Sequence, residues 1–311
     1  MSSNGCCVGR AESRGKVAIV GSGLIGSCWG ALFASAGYSV CLYDVNDAAL
    51  EKSRANIRAN LEKLEGEGLL RGSLSADEAM ELLCTTTVLK NALSGAIYVQ
   101  ESTVETVEFK TKIFAEMDSI ADPETILASS TSTIPTSSFT EGLQGKSRCL
   151  VVHPVNPPLY LTLVELVPAP WTDATVVDRA YSIMESIGQS PIRLKKEVVG
   201  FGVNRLQFAL LAESWRLVKD GVLSPEDVDK VMSAGLGPRY AFYGPFEVIH
   251  LNAFGIKDYC NRYAAGVKRV IGALEASLNG RMPIETLGKY TDQRAEKLAG
   301  LAQLKLKLKK D

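Results

Sequence analysis

Histidine is almost absent from this chain, with two in 311 residues. They are His153 and His250, so any proton transfer by an imidazole falls to one of these two. Surplus charge is missing as well. Lys and Arg number 34 against 35 Asp and Glu, for a net charge of −1. That balance excludes a general attraction to nucleic acid or to an anionic membrane surface. No run is long and apolar enough to read as a bilayer span. The seven cysteines are Cys6, Cys7, Cys28, Cys41, Cys84, Cys149 and Cys260. Apart from the adjacent Cys6-Cys7 they are scattered, without the spacing of a metal site. Cys28, Cys41 and Cys149 sit in apolar segments, where cysteine packs as a small hydrophobe. This usage fits a reducing compartment and predicts a cytoplasmic protein. Residues 1–15 lack both the apolar core of a signal peptide and the Arg-rich pattern of a transit peptide. They are predicted to be a disordered lead-in.

The composition is that of a globular protein, 46% hydrophobic and 22% charged, and the length allows two domains. The richest stretch runs from Lys16 to Asp44, KVAIVGSGLIGSCWGALFASAGYSVCLYD. An apolar run, Val17 to Val20, leads into Gly21-Ser22-Gly23-Leu24-Ile25-Gly26. A helical pattern follows, then Gly37, a second apolar run and Asp44. Strand, Gly-rich turn, helix, strand and acid make the layout of a dinucleotide-binding βαβ unit. Gly21 permits the tight turn, Gly23 lets backbone approach a pyrophosphate, and Gly26 lets the helix sit close to the strand. Leu24 and Ile25 open the helix, whose N-terminal amides and dipole favour phosphate. Asp44 is placed to accept both ribose hydroxyls of an adenosine. A 2′-phosphate about 4 Å from that carboxylate would cost on the order of 4 kcal/mol at a surface-like dielectric, so the cofactor is predicted to be NAD rather than NADP.

Strand and helix patterns alternate up to Leu194. A helix is predicted over Asp47–Glu65. A capping box at Ser75–Glu78 opens another, predicted to reach Leu83. Strands are predicted at Ala96–Val99, Thr125–Ala128 and Cys149–Val152, with closing strands at Leu163–Val167 and Pro191–Leu194. Beyond Lys196 no strand signal remains, and a long helix is predicted from Gly200-Phe201-Gly202 to about Asp220. The fold class is therefore α/β: a doubly wound, mainly parallel Rossmann-type sheet over residues 16–197, then an all-helical domain over residues 198–311.

His153 ends a predicted strand, in CLVVHPVNPP, where an open parallel sheet presents its ligand crevice. Glu165 lies in the apolar run LTLVELVPAP. A lone acid there costs several kcal/mol unless it is paired, and His153 is the obvious partner. A carboxylate on one ring nitrogen fixes the tautomer and supports the other nitrogen as a general base. The alternative is a satisfied turn histidine. Ser129-Ser130-Thr131-Ser132 ends another strand, as crevice hydroxyls or as an ST-turn. Asn204 lies in the first turn of the long helix, where it otherwise caps. Arg239, in a Gly-rich turn beside Tyr240, is a bidentate clamp for a free carboxylate or a surface ion pair.

Taken in order, GSGLIG, VQESTVE, ASSTS, HPVNPP, LVELVPAP and GFGVNRL resemble the L-3-hydroxyacyl-CoA dehydrogenase family over nearly all of residues 16–260. The resemblance implies a His153–Glu165 catalytic dyad, a substrate-orienting Ser132, and an Asn204 that hydrogen-bonds the reacting oxygen. It also implies cofactor contacts at Glu105 and Lys110, no metal, and a homodimer paired through helices. HPVNPP and GLGPRYAFYGPFEVIHLNA resemble the sugar-acid branch of the family, which implies oxidation of L-gulonate to 3-dehydro-L-gulonate. The alternatives are a 3-hydroxybutyryl-CoA or other 3-hydroxyacyl-CoA dehydrogenase and, in another class, a structural crystallin-type protein on the same scaffold. The expected partner is a small hydroxy acid, not nucleic acid or membrane. After Gly266 the resemblance weakens.

Overall fold

Alternate residues of the first strand build two different cores. Val17 and Ile19 pack on one face of the sheet with Trp29, Phe33, Leu42 and Tyr98. Ala18 and Val20 pack on the other with Val99, Phe114, Met117 and Phe201. All four strand residues are fully buried, as period-2 alternation requires of a sheet covered on both sides. The computed structural model describes residues 13–281, with side chains to residue 270. The lead-in through residue 12, Cys6 and Cys7, and the tail beyond residue 281 lie outside the described residues.

The first half alternates β1 (Lys16–Val20), α1 (Leu24–Ser35), β2 (Ser39–Tyr43), α2 (Asp47–Gly66), α3 (Ala76–Glu81), β3 (Leu83–Thr86), α4 (Leu89–Leu93), β4 (Ala96–Glu101) and α5 (Val107–Ile120). It continues through β5 (Ile126–Ser129), α6 (Ser137–Thr140), β6 (Cys149–Pro154), β7 (Leu163–Pro168), α7 (Ala174–Ser186) and β8 (Ser190–Arg193). The eight strands form one sheet in the order β3-β2-β1-β4-β5-β6-β7-β8. Every neighbouring pair is parallel except β6 with β7. The mainly parallel, doubly wound architecture is the predicted one.

One strand went unread in the sequence. The helix opened by Ser75 was predicted to reach Leu83, but α3 ends at Glu81 and Leu83 begins β3. The run Thr85-Thr86-Thr87-Val88 is β-branched, which favours a strand, and Val40 to Tyr43 of β2 supply its ladder. Tertiary pairing overrides the helical start.

After β8 come α8 (Val203–Lys219), α9 (Pro225–Val231), a π-helical stretch Met232–Leu236, α10 (Gly237–Tyr240), α11 (Pro245–Leu251) and α12 (Ile256–Arg281). Among the described residues this part is wholly helical, and none of its helices is long and apolar enough to cross a membrane. Internal contacts divide the chain between Ala212 and Glu213, so the first turns of α8 belong with the sheet. The turn predicted around Arg239 is instead wound into α10.

Candidate active site

Between β1 and α1 the chain makes a turn that only glycine allows at two points. A Cβ on Gly26 would lie 1.9 Å from the Gly21 carbonyl oxygen, and one on Gly21 would lie 2.6 Å from the Ser102 carbonyl oxygen. Gly23 faces open space, with nothing within 4 Å of its would-be Cβ. No side chain caps α1 at Gly23, and its first turn carries no acid. The opening amides at Leu24, Ile25 and Gly26 are thus left for an anion. Asp44, ending β2, closes the cradle. Its Oδ2 accepts from the Ser22 amide at 3.0 Å and the Ser22 hydroxyl at 2.7 Å, and its Oδ1 accepts from the Asn46 amide at 3.2 Å. Burial pushes the Asp44 carboxyl up, but the donors from Ser22, Asn46 and Val45 outweigh it and hold the group below the ordinary aspartate value. The cradle fits a dinucleotide: an open glycine face, a free helix start and an ionised acid at the ribose position.

His153 and Glu165 are direct partners on the antiparallel β6–β7 ladder. His153 Nδ1 lies 2.8 Å from Glu165 Oε2, and both residues are buried. The carboxylate has a second anchor. Its Oε1 accepts from the amides of Gly202 at 2.7 Å and Val203 at 3.0 Å, the N-terminus of α8. Three donors and a helix dipole thus compensate a fully buried acid. The local chain is shaped for this contact. A Cβ on Gly202 would meet Glu165 Oε1 at 2.8 Å. Phe201 takes a left-handed φ of 50°, a conformation that costs a non-glycine residue on the order of 1–3 kcal/mol. Burial of its ring offsets that cost, with the centroid 5.5 Å from that of His153. The helix-start half of this arrangement was missed in the sequence; the GFG stretch just before the helix was its signal.

Asn204, in the first turn of α8, donates from Nδ2 to the Ser132 carbonyl oxygen at 2.7 Å. The capping role considered for it is replaced by a bridge to the segment that follows β5. The Ser132 amide donates to Glu105 Oε1 at 2.9 Å, and the Thr131 hydroxyl donates to the same oxygen at 2.5 Å. Glu105 Oε2 lies 3.3 Å from Lys110 Nζ. Lys110, 1% exposed, donates to both oxygens of Glu101 at 3.1 and 3.0 Å. Glu101 also accepts from the Ser129 hydroxyl at 2.5 Å and from the Thr103 amide and hydroxyl at 2.7 and 2.6 Å. Sequence reasoning named Glu105 and Lys110 but missed Glu101. Its signal was close to the one that exposed Glu165: an acid at the end of an apolar run, where Glu165 interrupts one.

A second polar group was also missed. The Ser130 hydroxyl lies within hydrogen-bond reach of Trp29 Nε1 at 3.0 Å, Gln100 Nε2 at 2.7 Å and Ser102 Oγ at 2.8 Å. Gln100 also donates to the carbonyl oxygen of Val152, next to His153, at 3.3 Å. The ASSTS segment is therefore a hub joining α1, β4, β5 and β6 rather than a simple turn.

The structure brings His153, Glu165, Asn204, Ser132, Glu105 and Lys110 together where β4, β5 and β6 end and the antiparallel β7 begins. The glycine turn and Asp44 stand at the C-terminal ends of β1 and β2. Arg239 falls in the other contact unit, exposed, beside a hollow of ≈ 570 Å³ lined also by Asp227, Lys230 and Leu236. No cluster of three or more metal-binding side chains is found among the described residues.

Comparison with known proteins agrees with this geometry. The model of the 3-hydroxyacyl-CoA dehydrogenase NAD-binding domain matches residues 16–198, and that of the C-terminal domain matches residues 200–278. The chain is 50% identical over 260 residues to a human lambda-crystallin homolog, covering 84% of this chain and 82% of that protein. It is 35% identical over 256 residues to L-carnitine dehydrogenase of Staphylococcus epidermidis, covering 82% and 78%. Among solved structures, it superposes on the NAD+-dependent 5-formyl-3-hydroxy-2-methylpyridine 4-carboxylic acid 5-dehydrogenase with a TM-score of 0.74 at 27% identity, covering 93% and 97%. An NAD cradle and a helical C-terminal domain, each matched by its own family model, make this chain an NAD-dependent oxidoreductase of the 3-hydroxyacyl-CoA dehydrogenase family.

Proposed function

We propose that this enzyme oxidises the 3-hydroxyl of a small free hydroxy acid, L-gulonate, to the 3-keto acid 3-dehydro-L-gulonate. The observation that carries the reading is the His153 ring, held at Nδ1 by a fully buried Glu165. With Nδ1 committed, Nε2 is the atom that takes the substrate's hydroxyl proton. Glu165 then faces an imidazolium across 2.8 Å and compensates its charge. NAD, when bound, supplies the hydride acceptor. The second N–H of Asn204 and the exposed Ser132 hydroxyl orient the substrate oxygen. A general base of this kind contributes about 10²–10⁴ in rate.

Three points support a free acid over an acyl-CoA. Half of the matched residues are shared with the human lambda-crystallin homolog. Two further relatives are named for substrates with a free carboxyl group, L-carnitine and a pyridine carboxylic acid. In the later turns of α2 the cations face carboxylates of the same surface, which offsets their pull on a nucleotide phosphate. Arg58 is paired with Asp77 at 2.8 Å and Glu62 at 3.6 Å, and Lys63 with Glu67 at 3.9 Å. Arg239 is proposed as the carboxylate clamp, on the chemistry of its planar fork.

The test is NADH formation with L-gulonate, L-carnitine, 3-hydroxybutyrate and 3-hydroxybutyryl-CoA side by side. L-gulonate should give the highest kcat/KM, and Arg239→Met should raise its KM more than Arg239→Lys. Preference for the CoA thioester would overturn the sugar-acid reading. Membership of the 3-hydroxyacyl-CoA dehydrogenase family makes that thioester the second reading. No turnover of any of the four would favour a crystallin-type structural role.

A further inference from the structure

The strand order places β4 and β5 between the phosphate turn on β1 and the base on β6. A dinucleotide whose pyrophosphate rests on Gly21–Gly26, and whose reactive ring meets substrate at His153, must extend across the ends of β4 and β5. The end of β4, the loop after it and the first turn of α5 place Glu101, Glu105 and Lys110 there: two carboxylates against one ammonium, a formal charge of −1. The ammonium is not shared evenly. Lys110 reaches both oxygens of Glu101 at 3.1 and 3.0 Å, but Glu105 at a single 3.3 Å contact. Glu101 is fully buried, whereas the Glu105 side chain is 45% exposed. Glu101 therefore absorbs the lysine's charge in the interior and leaves the surplus negative charge on Glu105, at the crevice.

Oxidised NAD carries a positive pyridinium ring, and the reduced form is neutral at that ring. We propose that the Glu101–Lys110–Glu105 triad selects the oxidation state of the cofactor, with Glu105 as the charge the ring senses and Glu101 as the positioning residue that keeps Lys110 from cancelling it. The proposal rests on the NAD assignment and deepens it. The triad favours the NAD+ complex over the NADH complex, which assists binding for oxidation and release of the reduced product.

The experiment measures dissociation constants for NAD+ and for NADH separately, by calorimetric titration of the full chain. Glu105→Gln removes the sensed charge, and Glu101→Gln frees Lys110 to cancel it. In both, the ratio Kd(NADH)/Kd(NAD+) should fall roughly tenfold, as expected for the loss of one nearby charge. Glu105→Asp, which keeps the charge, should restore most of the ratio. Asp44→Asn contacts the ribose common to both forms and should weaken both by the same factor. A ratio within twofold of the parent in Glu105→Gln would overturn the proposal, since a merely structural residue shifts both constants together. Where Glu101→Gln fails to fold, the two Glu105 variants decide alone. A parent that binds neither form overturns the cofactor reading itself, a separate failure.

Discussion

A histidine becomes a directional base when one of its two nitrogens is taken. In this chain the Nδ1 of His153 is held by Glu165, and Glu165 is held in turn by two backbone amides. His153→Asn should therefore lower kcat about 10²–10⁴-fold while leaving NAD affinity nearly intact. Glu165→Gln should cost less, since it removes the orienting partner and keeps the base. Equal loss of cofactor binding in either variant would assign the pair a structural role. Asp44 makes a separate prediction. Its carboxyl is held below the ordinary range, so it stays ionised across the neutral and mildly acid region and is lost only as pH falls through that lowered value. NAD affinity should be flat in titrations between about pH 8 and 5 on its account. Asp44→Ala should weaken NAD and narrow the gap to NADP. A parent that already prefers NADP would refute the ribose contact. Thiol reactivity gives a third check. Burial pushes Cys28 up to about 11, and burial with the nearby Asp118 pushes Cys149 up to about 12. Both should resist iodoacetamide at pH 8 in the native protein, while the exposed Cys260 labels. Mass spectrometry of labelled peptides reads the difference, and rapid native labelling of Cys28 would contradict the packing.

Elements decide which of these residues meet. Glu165 was legible because it breaks an apolar run, and His153 because it ends one. Their pairing was expected because a buried acid needs a partner, but the antiparallel register of β6 with β7 that makes it is announced by no local pattern. Glu101 and the Ser130 hub were harder to read. Their partners lie on neighbouring strands and on α1 and α5, and only parallel pairing brings those strand ends together. β3 was missed because its signal is a short Thr-rich run competing with a well-capped helix start. The α8 terminus shows the same dependence and yields a sharp test. Gly202→Ala puts a Cβ 2.8 Å from Glu165 Oε1, so the carboxylate must shift. kcat should fall at least tenfold while the Kd for NAD changes less than twofold. An unaltered kcat would show that the helix start does not set the carboxylate.

At the scale of the molecule, the α/β class and the helical nature of the second part were open in the alternation of patterns. The contact division inside α8 was not, because a continuous helix carries no punctuation where its packing partners change. We propose that the chain is a homodimer. The part after Ala212 exposes Trp215, Phe242, Phe246 and Phe254 at 74–91% of their surface among the described residues, and aromatic surface of this kind is characteristic of interfaces. Light scattering at micromolar concentration should give twice the chain mass, and Phe246→Glu should lower it. A monomer mass for the parent would refute the dimer. The β6–β7 ladder carries one further consequence. Its pairing fixes His153 opposite Glu165 through the strands themselves, and the intervening residues 155–162 are held separately, by the buried Leu159 and by Gln189 and Arg71 donating to the Pro158 and Leu159 carbonyls. Such a turn is replaceable only in part. Its exposed residues, Tyr160 and Leu161, can be exchanged without disturbing the His153–Glu165 pair, whereas the buried Leu159 cannot. One buried His–Glu contact can thus persist while the surface of the turn beside it changes.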